Sequence, residues 1–272
     1  MIYTQEMFDE LPVIEGSKQC PTGDYSQVNH FDSNCNFRSN CVFSDYSKFG
    51  ENCNFWNNCK FGFNCAFGFQ CNFGKEISFG SFCIFGIDSS FDDQSTFSNK
   101  CTFGGLSKFG NNCQFGDNCS FGRNNNFGFD CSFDNLCQFA NNCGFHAGCS
   151  LGEQCSFGER CKFSEGCSLG EQCSFGERCR FSEKCSFEGG FKAKKGNPII
   201  SISRVGTALR TTYFFNCENG IIVRSGCFKG TLAQFRIKVL EDVGNKSDIK
   251  ALQYLGFANI VAATWSPEEI QY

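Results

Sequence analysis

The sequence predicts a mainly β chain: a parallel β-helix of about nine 18-residue coils, followed by a small α+β domain. Three regularities carry that reading. From Tyr25 to Phe187 an aromatic or leucine falls on every sixth residue, 28 positions filled by 25 Phe, one Tyr and two Leu (Leu151 and Leu169). Two places before the anchors, from Cys35 to Cys185, sits a small residue, which is Cys at 20 of 26 positions. Residues 148–165 recur at 166–183 with a single difference, Lys162 against Arg180.

A period of six is no helix period, so an amphipathic helix is excluded. Within each Cys-x-Phe triplet the first and third residues share one face, as on a strand. The Gly-x-x that usually follows is turn-like, because Gly accepts backbone conformations that other residues avoid. Short strand and corner in alternation describe a solenoid. Three hexads make one coil, since departures from the pattern are also spaced by 18: Ser89, Ser107 and Asn125; Ile77 and Ser95; Leu151 and Leu169. Each coil is then a triangle of three short strands, and at about 4.8 Å per layer the stack is about 45 Å long.

Residues such as Cys113-Gln114-Phe115-Gly116 resemble the hexapeptide-repeat proteins, which place a bulky apolar residue before Gly and a small residue two places ahead of it. The resemblance covers 25–187, more than half of the chain, and departs from the family in using Phe where Ile, Leu or Val is usual. It implies a left-handed β-helix. It also implies an alternative activity, because many such proteins are coenzyme A-dependent acyltransferases with a histidine as general base in a cleft between subunits. The two histidines are His30, at an outward strand position, and His146, at a corner in Phe145-His146-Ala147-Gly148. His146 is therefore the catalytic candidate under that alternative. No coil carries an inserted loop to wall a pocket, and the reading preferred on the residues is non-catalytic.

Residues 1–24 carry five acids and only Lys18, and are expected to cap the first coil. No basic start with an apolar run precedes the repeats and no 18 apolar residues occur together, so a cytoplasmic chain without membrane contact is expected. The 23 cysteines lie on a lattice, unlike a secreted disulfide framework, and read as small buried thiols. There is no Cys-x-x-Cys, so no metal is expected, and no cofactor either.

The outer face is polar and nearly charge-balanced. Large apolar residues nevertheless fall at corners between 56 and 136: Trp56, Phe63, Phe69, Phe82, Ile87, Leu106, Phe129 and Leu136. Phe69, Ile87 and Leu106 are expected on one edge, and Phe63, Phe82 and Leu136 on another. Such a patch suggests self-association of solenoids, as in a trimer, or docking of the C-terminal domain; a protein partner is expected for the chain as a whole.

Beyond Phe187 the lattice stops, with 188–196 read as a linker and 197–272 as a three-strand, two-helix domain. Pro198–Val205, Arg210–Cys217 and Gly220–Ser225 are strand-like, and Asn219-Gly220 is a hairpin signal. Thr231 is placed to cap a helix over Leu232–Val243, ended by Gly244. A second helix over Asp248–Ala263 would start at Ser247. The stretches from Thr211 to Phe215 and from Gly226 to Leu232 loosely resemble a module of uncharacterised phage-encoded proteins. Residues 188–238 hold nine basic side chains against Glu188 and Glu218. Arg204, Arg210, Arg224 and Lys229, with Tyr213, form a candidate surface for nucleic acid, another polyanion or a protein. Cys227, alone after a hairpin, reads as core. The function expected is a rod-like scaffold or binding protein whose C-terminal domain engages a macromolecule.

Overall fold

The computed structural model describes residues 1–182, 184–187, 191, 192, 194, 198–205, 210–243 and 249–265. The chain divides into two compact units, one holding Met1–Cys179 with Phe187 and the other the remainder.

The first unit is a mainly β parallel solenoid of about ten turns of about 18 residues. From Val42–Phe43 onward each hexad contributes a two-residue strand, and the earlier Asp24–Gln27 and Cys35–Phe37 are longer. The chain passes in fixed order through sheet 1 (Lys60–Phe61, for example), sheet 2 (Ala66–Phe67) and sheet 3 (Asn72–Phe73). Beyond the N-terminal segment the described hexad strands lie parallel and in register with their equivalents in the coils above and below, as Phe67 does with Phe49 and Phe85, whereas Val13–Ile14 pairs antiparallel with Ser17–Cys20. The turn beyond the nine expected comes from the N-terminal segment. There Ile2–Thr4 lies beside Asp24–Gln27, and Ser17–Cys20 beside Cys35–Phe37.

Three files of rings fill the interior. Phe103 stacks on Phe85 and Phe121 with centroids 4.8 Å away on both sides, the spacing of the strands themselves. It meets Phe97 and Phe109 of the other two files edge to face, at 5.0 and 5.2 Å. Both arrangements are favoured by the ring quadrupole. The thiols fill the remaining space and also act as donors. Cys83 Sγ donates to Gly62 O at 3.5 Å and Cys131 Sγ to Gly110 O at 3.2 Å, so a corner carbonyl of one coil is satisfied by the coil above. Ser47, Ser89 and Ser95 in the same slot bond within their own corner, Ser89 to Gly86 O. All 23 cysteines are free thiols.

From Asn34 onward each described corner has one residue in the left-handed region, three places after the anchor. Asn fills it most often, as at Asn52, Asn58 and Asn112, because its short polar side chain tolerates that backbone. The glycine directly after an anchor has a different cause: a Cβ on Gly86 would lie 2.6 Å from the carbonyl carbon of Gly68 in the coil below. The side chain at the apex ties successive corners together. Asp93 Oδ1 accepts from Asn111 N, and Asn111 Oδ1 from Phe129 N. The bond from Asn111, and then Lys75, holds the Asp93 carboxyl below the usual carboxylate range.

At the N-terminal end, a short helix α1 (Gln5–Asp9), capped by Thr4, lowers Phe8 onto the first coil. Phe8 is fully buried, edge-on to Phe31 at 5.0 Å, while Tyr3 stacks on Tyr25 at 4.5 Å. Lys18 lies over the Phe8 ring and pairs with Asp32 at 3.4 Å. Phe8 stands outside the hexad pattern, and nothing in the period announces it.

The second unit contains an antiparallel sheet of four strands: Ile199–Val205, Arg210–Cys217, Gly220–Ser225 and Phe228–Thr231. The fourth is additional to the three expected, because Phe-Lys-Gly-Thr has no alternation to mark it. The turn Gly226-Cys227 creates it, with Gly226 at φ 61°. Helix α2 (Leu232–Val243) starts on a reciprocal cap, in which Gln234 N donates to Thr231 Oγ1 and Thr231 N to Gln234 Oε1. Helix α3 spans Ile249–Trp265. Gly244, Ser247 and Asp248 lie outside the described residues. Phe214 and Val223 of the sheet pack with Leu232, Phe235 and Val239 of α2 and with Ala258 and Val261 of α3.

Candidate functional site

The solenoid's outward positions differ by sheet. Along sheet 2 they are His30, Lys48, Ala66, Ile84, Thr102, Ser120, Gln138, Ser156 and Ser174, so no charge appears above Lys48. The apolar corners concentrate beside this same sheet. Phe63 and Phe82 lie at the corner where the chain enters it, and Phe69, Ile87 and Leu106 at the corner where it leaves. All five are exposed, as are Ile84 between them and Tyr46, whose ring meets Phe63 edge-on at 4.7 Å. Tyr46 and Ile84 escape the sequence reading. Ile84 is recognisable afterwards as the single large apolar residue in its outward file.

The other apolar corners do not join this cluster. Leu136 shares an edge with Phe82 but stands three coils beyond it, past Lys100 and Asn118. Trp56 and Phe129 lie on the third corner, four coils apart. Arg38 covers the Trp56 ring at 4.7 Å. His146 is half-buried, with its ring edge-on to Phe129 at 5.0 Å. The strand register beside His146 runs unbroken, Phe145 pairing with Phe127 and Phe163.

In the second unit, Tyr213, Arg224 and Lys229 fall in one row across three strands. The Arg224 guanidinium lies over Tyr213 at 4.7 Å and near Phe215 at 5.8 Å. The side chains of Arg204 and Arg210 lie outside the described residues. Arg236, one of the nine basics of that stretch, is buried and donates to Asn259 Oδ1 at 2.8 Å. Cys227 is exposed rather than in the core, because its turn projects beyond the sheet. Cys217 is buried, and burial pushes its thiol up to about 12.

Helix α3 carries no charge from Ala251 to Trp265. Its buried face is small, with Ala251, Ala258, Val261 and Ala262, while Ile249, Leu252 and Ile260 are exposed. Tyr254, Leu255 and Trp265 pack against the same core, so the helix carries apolar side chains on both faces. Among the described residues no group of His, Cys, Asp and Glu is arranged to hold a metal, and no helix is long and apolar enough to cross a membrane. Comparison with family models, curated proteins and solved structures finds no match for this chain.

Proposed function

We propose that the chain is a non-catalytic binding scaffold, in which the solenoid is a stiff left-handed spacer and the C-terminal domain docks a macromolecular partner through α3. One observation supports this above the rest. A helix without charge from Ala251 to Trp265 leaves Ile249, Leu252 and Ile260 in water, apolar surface that a partner would stabilise by covering. Tyr213 and Arg224 add a flat cationic-aromatic row on the same domain. The stiffness follows from the corner and strand bonds that tie each coil to the next.

The double substitution Leu252→Lys/Ile260→Lys alters only exposed positions and is expected to leave thermal unfolding unchanged. Proteins retained from a bacterial lysate by the full chain should then be retained at least about tenfold less, since a charge buried in an apolar interface is strongly unfavourable. Equal retention by both forms would remove α3 as the docking surface.

A further inference from the structure

We infer that a trough on sheet 3 binds a neutral, extended glycan laid along the solenoid axis. This goes beyond the docking role given to α3 and does not depend on it.

The trough measures about 490 Å³ and crosses four successive coils. Its floor is the outward file Asn54, Asn72, Ser90 and Lys108, and its wall is the corner file Asn52, Gln70 and Asp88. Amides and a hydroxyl therefore dominate it, and they bond to one another along the axis. Asn72 Nδ2 donates to Asn54 Oδ1 at 2.9 Å, Ser90 Oγ to Asn72 Oδ1 at 2.7 Å, and Gln70 Nε2 to Asp88 Oδ2 at 3.3 Å. These bonds orient the amide planes and still leave Asn54, Asn72 and Gln70 at least one N–H and one carbonyl lone pair each. A donor and an acceptor held side by side match adjacent hydroxyls on a sugar ring. Phe69, Ile87 and Leu106 stand exposed on the same corner as the wall. A sugar ring has a C–H face as well as hydroxyl edges, and covering that face against an apolar rim is favourable.

Charge and pitch select the class of ligand. Asp88 and Lys108 line the trough with opposite signs. The bordering corners add Glu51, Glu76, Asp92 and the Lys75–Asp93 pair at 3.2 Å. This excess of carboxylates disfavours nucleic acid and acidic glycans. The polar groups of the floor recur at the strand spacing, about 4.8 Å, close to the advance of one sugar in an extended β-1,4-linked chain. An extended peptide advances about 3.3 Å per residue and presents the same edge only at every second one, about 6.6 Å, so it falls out of step. The four layers cover about 14 Å, room for about three sugars.

The test titrates the full chain by calorimetry with the β-1,4-linked tetrasaccharides of glucose, mannose, xylose and N-acetylglucosamine, each alone. At least one should bind with a Kd below about 1 mM. Asn54→Ala/Asn72→Ala alters only exposed side chains. It should leave thermal unfolding unchanged and weaken that binding at least about tenfold, through the lost hydrogen bonds. Phe69→Ala should weaken it about threefold, through the lost rim, whereas Thr96→Ala, exposed on sheet 1, should leave it unchanged. No binding by any of the tetrasaccharides, equal affinity in the amide double variant, or tighter binding of a neutral Ser-Gly peptide would overturn the inference. The α3 double substitution should leave sugar binding intact, so failure here and failure of the docking role are separately visible.

Discussion

Raising the pH from about 8 to about 10 should unfold the solenoid, with stability falling steeply once the pH passes the thiol range of an unfolded chain, about 8.5. In the folded state hydrogen bonding between stacked thiols raises one partner, as at Cys101, Cys137 and Cys149, and lowers the next, as at Cys83, Cys119 and Cys155, while burial raises them all and sets the net direction. The unfolded chain therefore releases protons that the native state keeps. Where the native state binds more protons, stability decreases as pH rises. The contribution is fully present below about 8.5 and is lost as pH climbs toward the folded values. Each thiol held protonated by the fold costs about 1.4 kcal/mol per pH unit, so three of them cost about 4 kcal/mol per pH unit, a large share of the stability of an ordinary domain. Denaturant midpoints measured under reducing conditions at pH 7, 8, 9 and 10 should stay level at first and then collapse. Level midpoints through pH 10 would mean that the thiols are not held protonated by the fold.

The second large effect is expected at Phe103. Its ring touches both neighbours in its own file and both other files, so Phe103→Ala opens a cavity that stacked coils cannot close. The expected loss is about 3–5 kcal/mol. Phe103→Leu should cost only about 1 kcal/mol, because Leu151 and Leu169 already occupy anchor positions, buried and in register. Coupling along a solenoid is between neighbours, so hydrogen exchange should show the damage concentrated in the coils of Phe85, Phe103 and Phe121. Uniform loss of protection over residues 25–175, or an alanine variant as stable as the parent, would contradict the stacked interior.

The repeats were legible because each hexad repeats one physical solution. An anchor that points inward, a small residue beside it and a corner have no freedom to differ once the coil is closed. What lies outside the period was not legible. Phe8 closes the first coil from a helix of five residues, and only its burial reveals that role. The two apolar edges could be read from the spacing. That both border sheet 2 follows only from tracing the chain through its corners, and the same tracing separates Leu136 from Phe82. In the second unit, periodicity found α2 because its apolar stripe faces the core. The outward stripe of α3 stayed hidden because a helix apolar all round looks the same whichever side is buried. Arg236 and Cys227 exchanged their expected places for a related reason: one basic residue in a charged stretch carries no mark of its buried partner Asn259, and a thiol in a turn looks like any other thiol.

The fold and packing of the solenoid depend on a chain that closes a triangle with every third hexad. The most direct test places spin labels at Lys60→Cys and Ser150→Cys in the Cys227→Ser chain, both on the outer side of sheet 1 and five coils apart. Stacked coils predict one narrow distance distribution near 24 Å between the labelled backbones, widened only by the label arms, at about 4.8 Å per coil. The native thiols should stay unlabelled. A broad distribution, a centre far beyond the stacked spacing, or labelling of the native cysteines would contradict the closed, thiol-packed solenoid.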